Sequence, residues 1–350
     1  MNTLAVDDSR LFPRQGAQAR AASRDLGIDT MRGVAILMVI GIHSLTQPMT
    51  SWQVAVDAWL RPCVPIFLFT SGYLTAASGI VPLSKRIWAA LAPYTIAFAA
   101  AYLYMALHNP AMDHRPATTL ARFVLAYAFV YYYVFVYVGC TIMLWLVYST
   151  VSVDIRPRAR QLTILLPLLV LLGLIAGAYV DPLLSRLGLP ESLIEEVRMR
   201  DIPFWFSFMA LGALVGITGL KRDLSAAPSL LAGATLIAYA IYAAVRLAGI
   251  GDAADYDSLA FFGYAGLLCC LLLAIARGSP ALASLGSGSY FIYLWHIFVV
   301  MALRDHAPLR QLGPLAGSVL TFVTATFSSV AALLVVRQVL PRSIARRLGA

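Results

Sequence analysis

The stretch that decides the fold is DTMRGVAILMVIGIHS, residues 29–44. It is almost wholly apolar, yet it opens with Asp29 and Arg32 and closes with His43. An apolar run of this length, with ionisable groups only at its two ends, reads as a membrane-crossing helix. From Arg32 to His43 is eleven residues, about 1100° of helical rotation and so roughly 20° past three full turns, which puts both side chains on one face. About 16 Å separates them along the axis. That spacing places Arg32 at the cytoplasmic edge and His43 near the bilayer midplane, with Asp29 capping the helix start.

The rest of the chain repeats the pattern. Of 350 residues, 60% are hydrophobic and 12% charged, and the mean hydropathy is +0.79, outside the range of soluble domains. The chain therefore reads as an all-α, polytopic integral membrane protein. Ten spans are expected: 33–51, 56–79, 87–107, 122–150, 161–180, 203–219, 229–249, 259–277, 286–303 and 314–338. The fourth is long, and the triple Tyr131, Tyr132, Tyr133 suits an interfacial start, since tyrosines favour the headgroup level. The domain division is a cytoplasmic tail over 1–28, one transmembrane domain over 29–340 and a short cytoplasmic tail over 341–350.

Charge fixes the orientation. With the N-terminus inside, 17 of the 26 Lys and Arg fall on the cytoplasmic side and 11 of the 17 acidic residues on the other. The positive-inside bias places both termini in the cytoplasm. The net charge of +9 is then topology and contact with anionic lipid, and does not point to nucleic acid. Residues 1–28 lack the apolar core of a signal peptide, so the first span is itself the targeting signal. Cys63, Cys140, Cys269 and Cys270 all sit in apolar spans without a CxxC spacing, so neither a disulfide framework nor a metal site is expected.

Deep burial disfavours the imidazolium form, so His43 is expected as a neutral ring able to accept a proton. The competing reading is structural: a histidine hydrogen-bonded to a neighbouring helix, with Arg32 as an ordinary anchor.

Five segments in order resemble one family. DTMRGVAILMVIGIHS carries an Asp-x-x-Arg pair and an Arg-x10-His spacing; VPIFLFTSGYL (64–74) holds a proline, aromatics and Ser-Gly. SKRIWAALAPY (84–94) is a basic loop before Pro-Tyr, YYVFVYVGCTIMLWLVY (132–148) is an aromatic run, and SGSYFIYLWHIFVV (287–300) contains Tyr-Leu-x-His. Together they resemble the membrane-bound acyltransferase family 3, in particular its sugar and exopolysaccharide O-acetyltransferases. The second arginine of that family's Arg-x-x-Arg loop falls here on Ala89.

The resemblance implies transfer of an acyl group, most often acetyl, from cytoplasmic acyl-CoA to a hydroxyl of a carbohydrate or glycan precursor at the bacterial inner membrane. His43 matches the essential histidine and Arg32 the essential arginine. Asp29, Lys85, Arg86 and Ser71 are the donor-side candidates, and His296 and Tyr293 the assisting ones. Acetyl-CoA is expected as a co-substrate, with no tightly bound cofactor. Expected partners are membrane lipids, a glycan or lipid-linked saccharide and glycan-assembly machinery. Cationic groups at the mouth suit the CoA phosphates, and a base deeper in suits the thioester. His43 acts either as general base or as an acyl-accepting nucleophile; Ser71, Thr70 and Tyr293 are candidate oxyanion donors.

Other placements stay open. His108, His114 and His306 fall in outer loops; Asp57 and Arg61 form an i,i+4 pair or face an acceptor sugar; ESLIEEVRMR (191–200) is an amphipathic cover or a surface helix. A transporter or flippase is the alternative function, since buried ionisable groups in a bundle also serve transport. Against it, the two halves of the chain show no repeat. A non-catalytic member of a glycan-assembly complex is the third reading.

Overall fold

The computed structural model describes residues 25–250, 256–276 and 278–350. The expected tail with Arg10, Arg14, Arg20 and Arg24, and the loop charges Asp252, Asp255 and Arg277, lie outside the described residues. Among the described residues every regular element is helical. Eight helical segments have the length and apolarity to cross a membrane, and a ninth does so if one sharply bent helix pair counts as a span. The eighth expected span, 259–277, is the shorter apolar helix Leu259–Ile275.

Helix α1 runs Leu26–Ser44, several residues earlier than expected. Its start is set by Asp25, whose carboxylate accepts from the backbone N–H of Gly27 (2.9 Å) and Ile28 (3.2 Å). Asp25 is thus the N-cap, and Asp29 lies inside the first turn; apolar run length alone placed the start too late because a cap is a hydrogen-bond feature rather than a hydropathy feature. Arg32 consequently sits well inside the helix and His43 in its final turn. The helix stops where Leu45 turns extended, shortly before Pro48.

The second expected span is present as one membrane-length segment, Ser51–Ser78, with a short interruption in its helix. Helices α2, Ser51–Leu60, and α3, Cys63–Ser78, meet at Arg61 and Pro62, where the proline lacks the N–H that a continuing helix needs. Helix α4, Leu83–His108, takes Lys85 and Arg86 into its first turn, so they are helical and not loop residues. The expected 122–150 span divides into α5, Pro116–Val124, and α6, Tyr132–Thr150. Of the three tyrosines, Tyr131 is fully buried and donates to the Leu294 carbonyl (2.8 Å), so it is held inside the bundle.

Helix α7, Ile155–Arg186, is followed by the short α8, Glu191–Arg198, and by α9, Ile202–Thr218. The amphipathic α8 is tied to the end of α7 by the Arg198–Asp181 ion pair. Next come α10, Lys221–Ala226, α11, Pro228–Ala248, and α12, Leu259–Ile275. The ninth expected span is two helices, α13, Pro280–Ser287, and α14, Ser289–His306, bent by 77° at Gly288. Helix α15, Pro314–Val339, and a short α16, Arg342–Arg347, end the chain.

Close packing, rather than the hydrophobic effect, holds such helices together in lipid. Helices α3 and α9 are the most closely packed pair, and small residues explain it. A Cβ on Gly72 would run into the Met209 carbonyl oxygen, and one on Gly212 into that of Phe69. Helix α1 is likewise crossed at close range by α13: added Cβ atoms on Gly33 and Gly286 would strike the carbonyls of Leu282 and Asp29. By contrast α7, α11 and α15 leave most of their apolar side chains outward, among them Leu171, Leu230, Leu236 and Phe327, the faces expected to meet hydrocarbon.

At the end of the bundle away from Lys85, the buried Asp57 pairs with both Arg61 (2.7 Å) and Arg246, joining α2 to α11. The Arg61 guanidinium also lies over the Tyr256 ring, 3.8 Å from its centroid. These groups are committed to one another.

Candidate functional site

Helices α1, α3, α4, α6 and the α13–α14 corner enclose a cavity of about 640 Å³. Its wall gathers Asp29, Arg32, Ser71, Lys85, Arg86 and Tyr293, six residues that the sequence placed on four separate segments. Ala89, where the family's second loop arginine would fall, also lines it.

Each position has a local cause. The Arg32 Nε donates to the Thr70 hydroxyl (3.4 Å), which itself donates to the Phe67 carbonyl (3.0 Å). That chain turns the guanidinium across the α1–α3 groove. Ser71 and Gly72 divide two tasks: Gly72 meets α9, while the next-door hydroxyl of Ser71 lies on the cavity side. Lys85 is exposed at the rim, whereas Arg86 is half-buried and its Nη1 is buried without a hydrogen-bond partner. A guanidinium N–H withdrawn from water and unpaired is costly unless an anion meets it.

The deeper wall is aromatic. Phe67 stands 5.8 Å from Tyr133 between ring centroids, and Tyr133 lies 5.4 Å from Tyr293. Tyr290 and Tyr293 stack at 6.2 Å, their hydroxyls fixed on the carbonyls of Ala90 (2.6 Å) and Val130 (2.7 Å). The sequence reading treated Tyr133 as part of an interfacial belt and overlooked Tyr137. Their i,i+4 spacing on α6 was the available signal that both face one way.

His43 and His296 do not line this cavity. They lie one ring beyond its end: Tyr293 is 6.4 Å from His296, and His296 is 5.5 Å from His43, centroid to centroid. His296 is fully buried. Its Nδ1 contacts the carbonyls of Ile292 (3.0 Å) and Tyr293 (2.9 Å); carbonyls only accept, so Nδ1 carries the hydrogen and a neutral ring presents its lone pair at Nε2. That Nε2 is buried and unpartnered. The half-buried His43 ring therefore has a second imidazole beside it, and its backbone carbonyl accepts from Arg304 (2.7 Å).

The remaining sequence candidates lie elsewhere. His108 and His306 are the last residues of α4 and α14, with rings 5.9 Å apart. His114 contacts the Tyr102 hydroxyl (2.8 Å) in the 109–115 loop. In the same loop the Asp113 carboxylate is held down to about 2, chiefly by the Arg115 guanidinium, then by the Arg115 amide and the Thr118 hydroxyl.

A bundle of apolar, membrane-length helices around a cationic chamber with an aromatic throat describes a multi-pass membrane protein with an internal binding site. The chain belongs to acyltransferase family 3: that family's profile, described as an acyltransferase domain, matches residues 25–336, nearly the whole length. It is a membrane acyltransferase. No curated protein and no solved structure matches the chain at a significant level.

Proposed function

We propose that the protein moves an acyl group, acetyl in the simplest case, from acyl-CoA entering on the cytoplasmic side to a hydroxyl of a carbohydrate or lipid-linked glycan precursor at the bacterial inner membrane. The observation that carries this reading is the cavity itself, where Arg32, Lys85 and the unpartnered Nη1 of Arg86 stand at one end and the Tyr293 ring at the other. Cations suit the phosphates of CoA, with Arg able to grip two oxygens at once. A narrow aromatic throat suits the thin pantetheine arm, which delivers the thioester past Tyr293 to the histidine pair.

In this mechanism neutral His43 takes the proton of the acceptor hydroxyl as its oxygen attacks the thioester carbonyl. That attack forms the new C–O bond, and collapse of the tetrahedral adduct restores the carbonyl and breaks the C–S bond. The proton held on His43 then passes to the departing CoA sulfur. His296, fixed in one tautomer by its backbone contacts, offers the lone pair of a second nitrogen beside His43, which favours the imidazolium formed during transfer. Ser71 and Asp29 complete the donor wall.

The test uses the full chain in lipid nanodiscs with radiolabelled acetyl-CoA and a glycolipid extract as acceptor. Label is expected in the glycolipid with the wild type and not with His43→Ala. Undiminished transfer by His43→Ala removes the catalytic assignment, and movement of a glycolipid across liposomes without acylation replaces this reading with transport.

A further inference from the structure

Helix α4 runs past a second chamber. Lys85 and Arg86 in its first turn line the donor cavity, while Tyr104, Met105 and His108 near its other end line a separate one of about 570 Å³. Nineteen residues separate Lys85 from Tyr104, about 28 Å of helix. The two chambers therefore lie towards opposite faces of the membrane, with the histidine pair between them. The volume lies within the roughly 300–1,000 Å³ of small-molecule sites.

The lining alternates carboxylates with ring faces. The Asp305 carboxylate is fixed by the Tyr104 hydroxyl (2.5 Å), that of Glu196 by Arg200, and Arg122 by the Asp113 carbonyl (2.8 Å). Asn109 adds an exposed amide, and Tyr127 and Phe129 add rings. Two carboxylates set against Arg122 and the exposed His108 leave no strong sign of charge, which argues against a phosphate or a quaternary amine. What fits is a neutral polyol: its hydroxyls both donate to carboxylates and accept from amide or guanidinium N–H, and the C–H face of a pyranose lies flat on an aromatic ring.

Two further features tie this chamber to the reaction centre. Ala126 (φ 50°) and Phe129 (φ 49°), in the segment that forms its wall, are the two non-glycine residues at positive φ among the described residues, a conformation that persists only where the surroundings enforce it. The Phe129 ring packs on Phe298 (5.7 Å) of α14. On the same helix Met301 and Asp305 line the chamber, about 8 and 14 Å beyond His296, and Arg304 between them holds the His43 carbonyl.

We propose that this outer chamber is the docking site for the saccharide acceptor, holding neutral sugar rings against Tyr127 and Phe129 with their hydroxyls on Asp305, Glu196 and Asn109. The acceptor role rests on the acyltransferase reading, whereas saccharide binding here is measured without any acyl transfer.

The test places a cysteine at the chamber by Met105→Cys, a lining residue that makes none of the proposed sugar contacts, in the full chain in nanodiscs and follows its labelling with a membrane-impermeant maleimide. The chain carrying only its native cysteines sets the background. Methyl glycosides of glucose, galactose, mannose and N-acetylglucosamine are the probes; one present at twice its dissociation constant slows labelling about threefold. Protection by at least one glycoside is expected, removed by Asp305→Asn and by Glu196→Gln while acetyl-CoA binding is retained. No protection by any of the four, protection unchanged in both variants, or equal protection by inorganic phosphate or choline overturns the proposal. Protection in a chain that transfers no acetyl refutes the acyltransferase reading and keeps this site, whereas transfer without protection refutes this site alone.

Discussion

His43 on α1 and His296 on α14 face each other with ring centroids 5.5 Å apart, and the tautomer of His296 is set by the carbonyls of Ile292 and Tyr293. One ring meets the substrates in the mechanism above, and the other acts through it. His43→Ala is expected to reduce kcat by about a hundredfold or more, the usual contribution of a general base. His296→Asn is expected to lower kcat at least tenfold and shift the alkaline-to-acid pH profile while leaving the acetyl-CoA dissociation constant unchanged. A change in that constant with kcat intact assigns His296 to donor binding instead.

The donor cations differ in burial, and their substitutions should differ accordingly. A hydrogen bond to a charged group contributes about 1.5–3 kcal/mol, so Arg32→Ala and Arg86→Ala are each expected to weaken CoA binding roughly tenfold to a hundredfold. The exposed Lys85 has a screened charge of about 0–1 kcal/mol, so Lys85→Ala should weaken it by less than about fivefold. Calorimetric titration at low and high salt separates the three, the Lys85 effect vanishing first.

The α3–α9 contact predicts a stability difference between glycines. Gly72→Ala drives a methyl group into the Met209 carbonyl and is expected to cost about 1–3 kcal/mol as overpacking. Gly233→Ala meets nothing within 4 Å and should be neutral or stabilise α11 by up to about 1 kcal/mol through helix propensity. Thermal unfolding midpoints of the two variants in one detergent give the comparison; equal midpoints refute the packing account.

Asp57 serves two guanidinium groups at once. Asp57→Asn leaves Arg61 and Arg246 buried beside each other without their counter-charge, a loss of about 3–5 kcal/mol for such a broken buried pair. Removing one of those cations as well, as in Asp57→Asn with Arg246→Leu, should restore part of the loss in a double-mutant cycle.

The Asp113 loop gives a pH dependence of known sign. Its carboxylate titrates at about 2 in the folded chain against an ordinary 3.8. A folded value below the unfolded one means the stabilisation is present in full above the unfolded value and fades as pH falls through the folded one. Protease sensitivity of residues 109–118 should therefore be flat from neutral pH down to about 5, and Asp113→Asn should raise it across that whole range.

Composition and residue pattern together disclosed a helical membrane bundle, and the resemblance of five segments to one family put Arg32, Ser71, Arg86 and Tyr293 among the candidates that the cavity gathers. What they missed were events decided by single hydrogen bonds or missing ones. Asp25 caps α1 eight residues ahead of the expected span because two backbone N–H groups bind its carboxylate. Pro62 interrupts the helix of one span and Gly288 bends another by 77°, where hydropathy averages each into a straight run. Tyr131 and Tyr133 look interfacial by residue type, yet their neighbours on α14 give their hydroxyl and ring partners inside the bundle. The outer chamber had no motif at all, since its residues come from four distant segments whose meeting is a matter of tertiary packing.

The corner at Gly288 has one more effect. Helix α14 begins there with no side chain capping it, and its first residues, Ser289 and Tyr290, stand in the wall of the donor chamber. Backbone dipoles give such an end about half a positive charge. Unlike a lysine or a histidine, that partial charge has no proton to lose, so the pull on an incoming anion persists unaltered across acid and alkaline conditions.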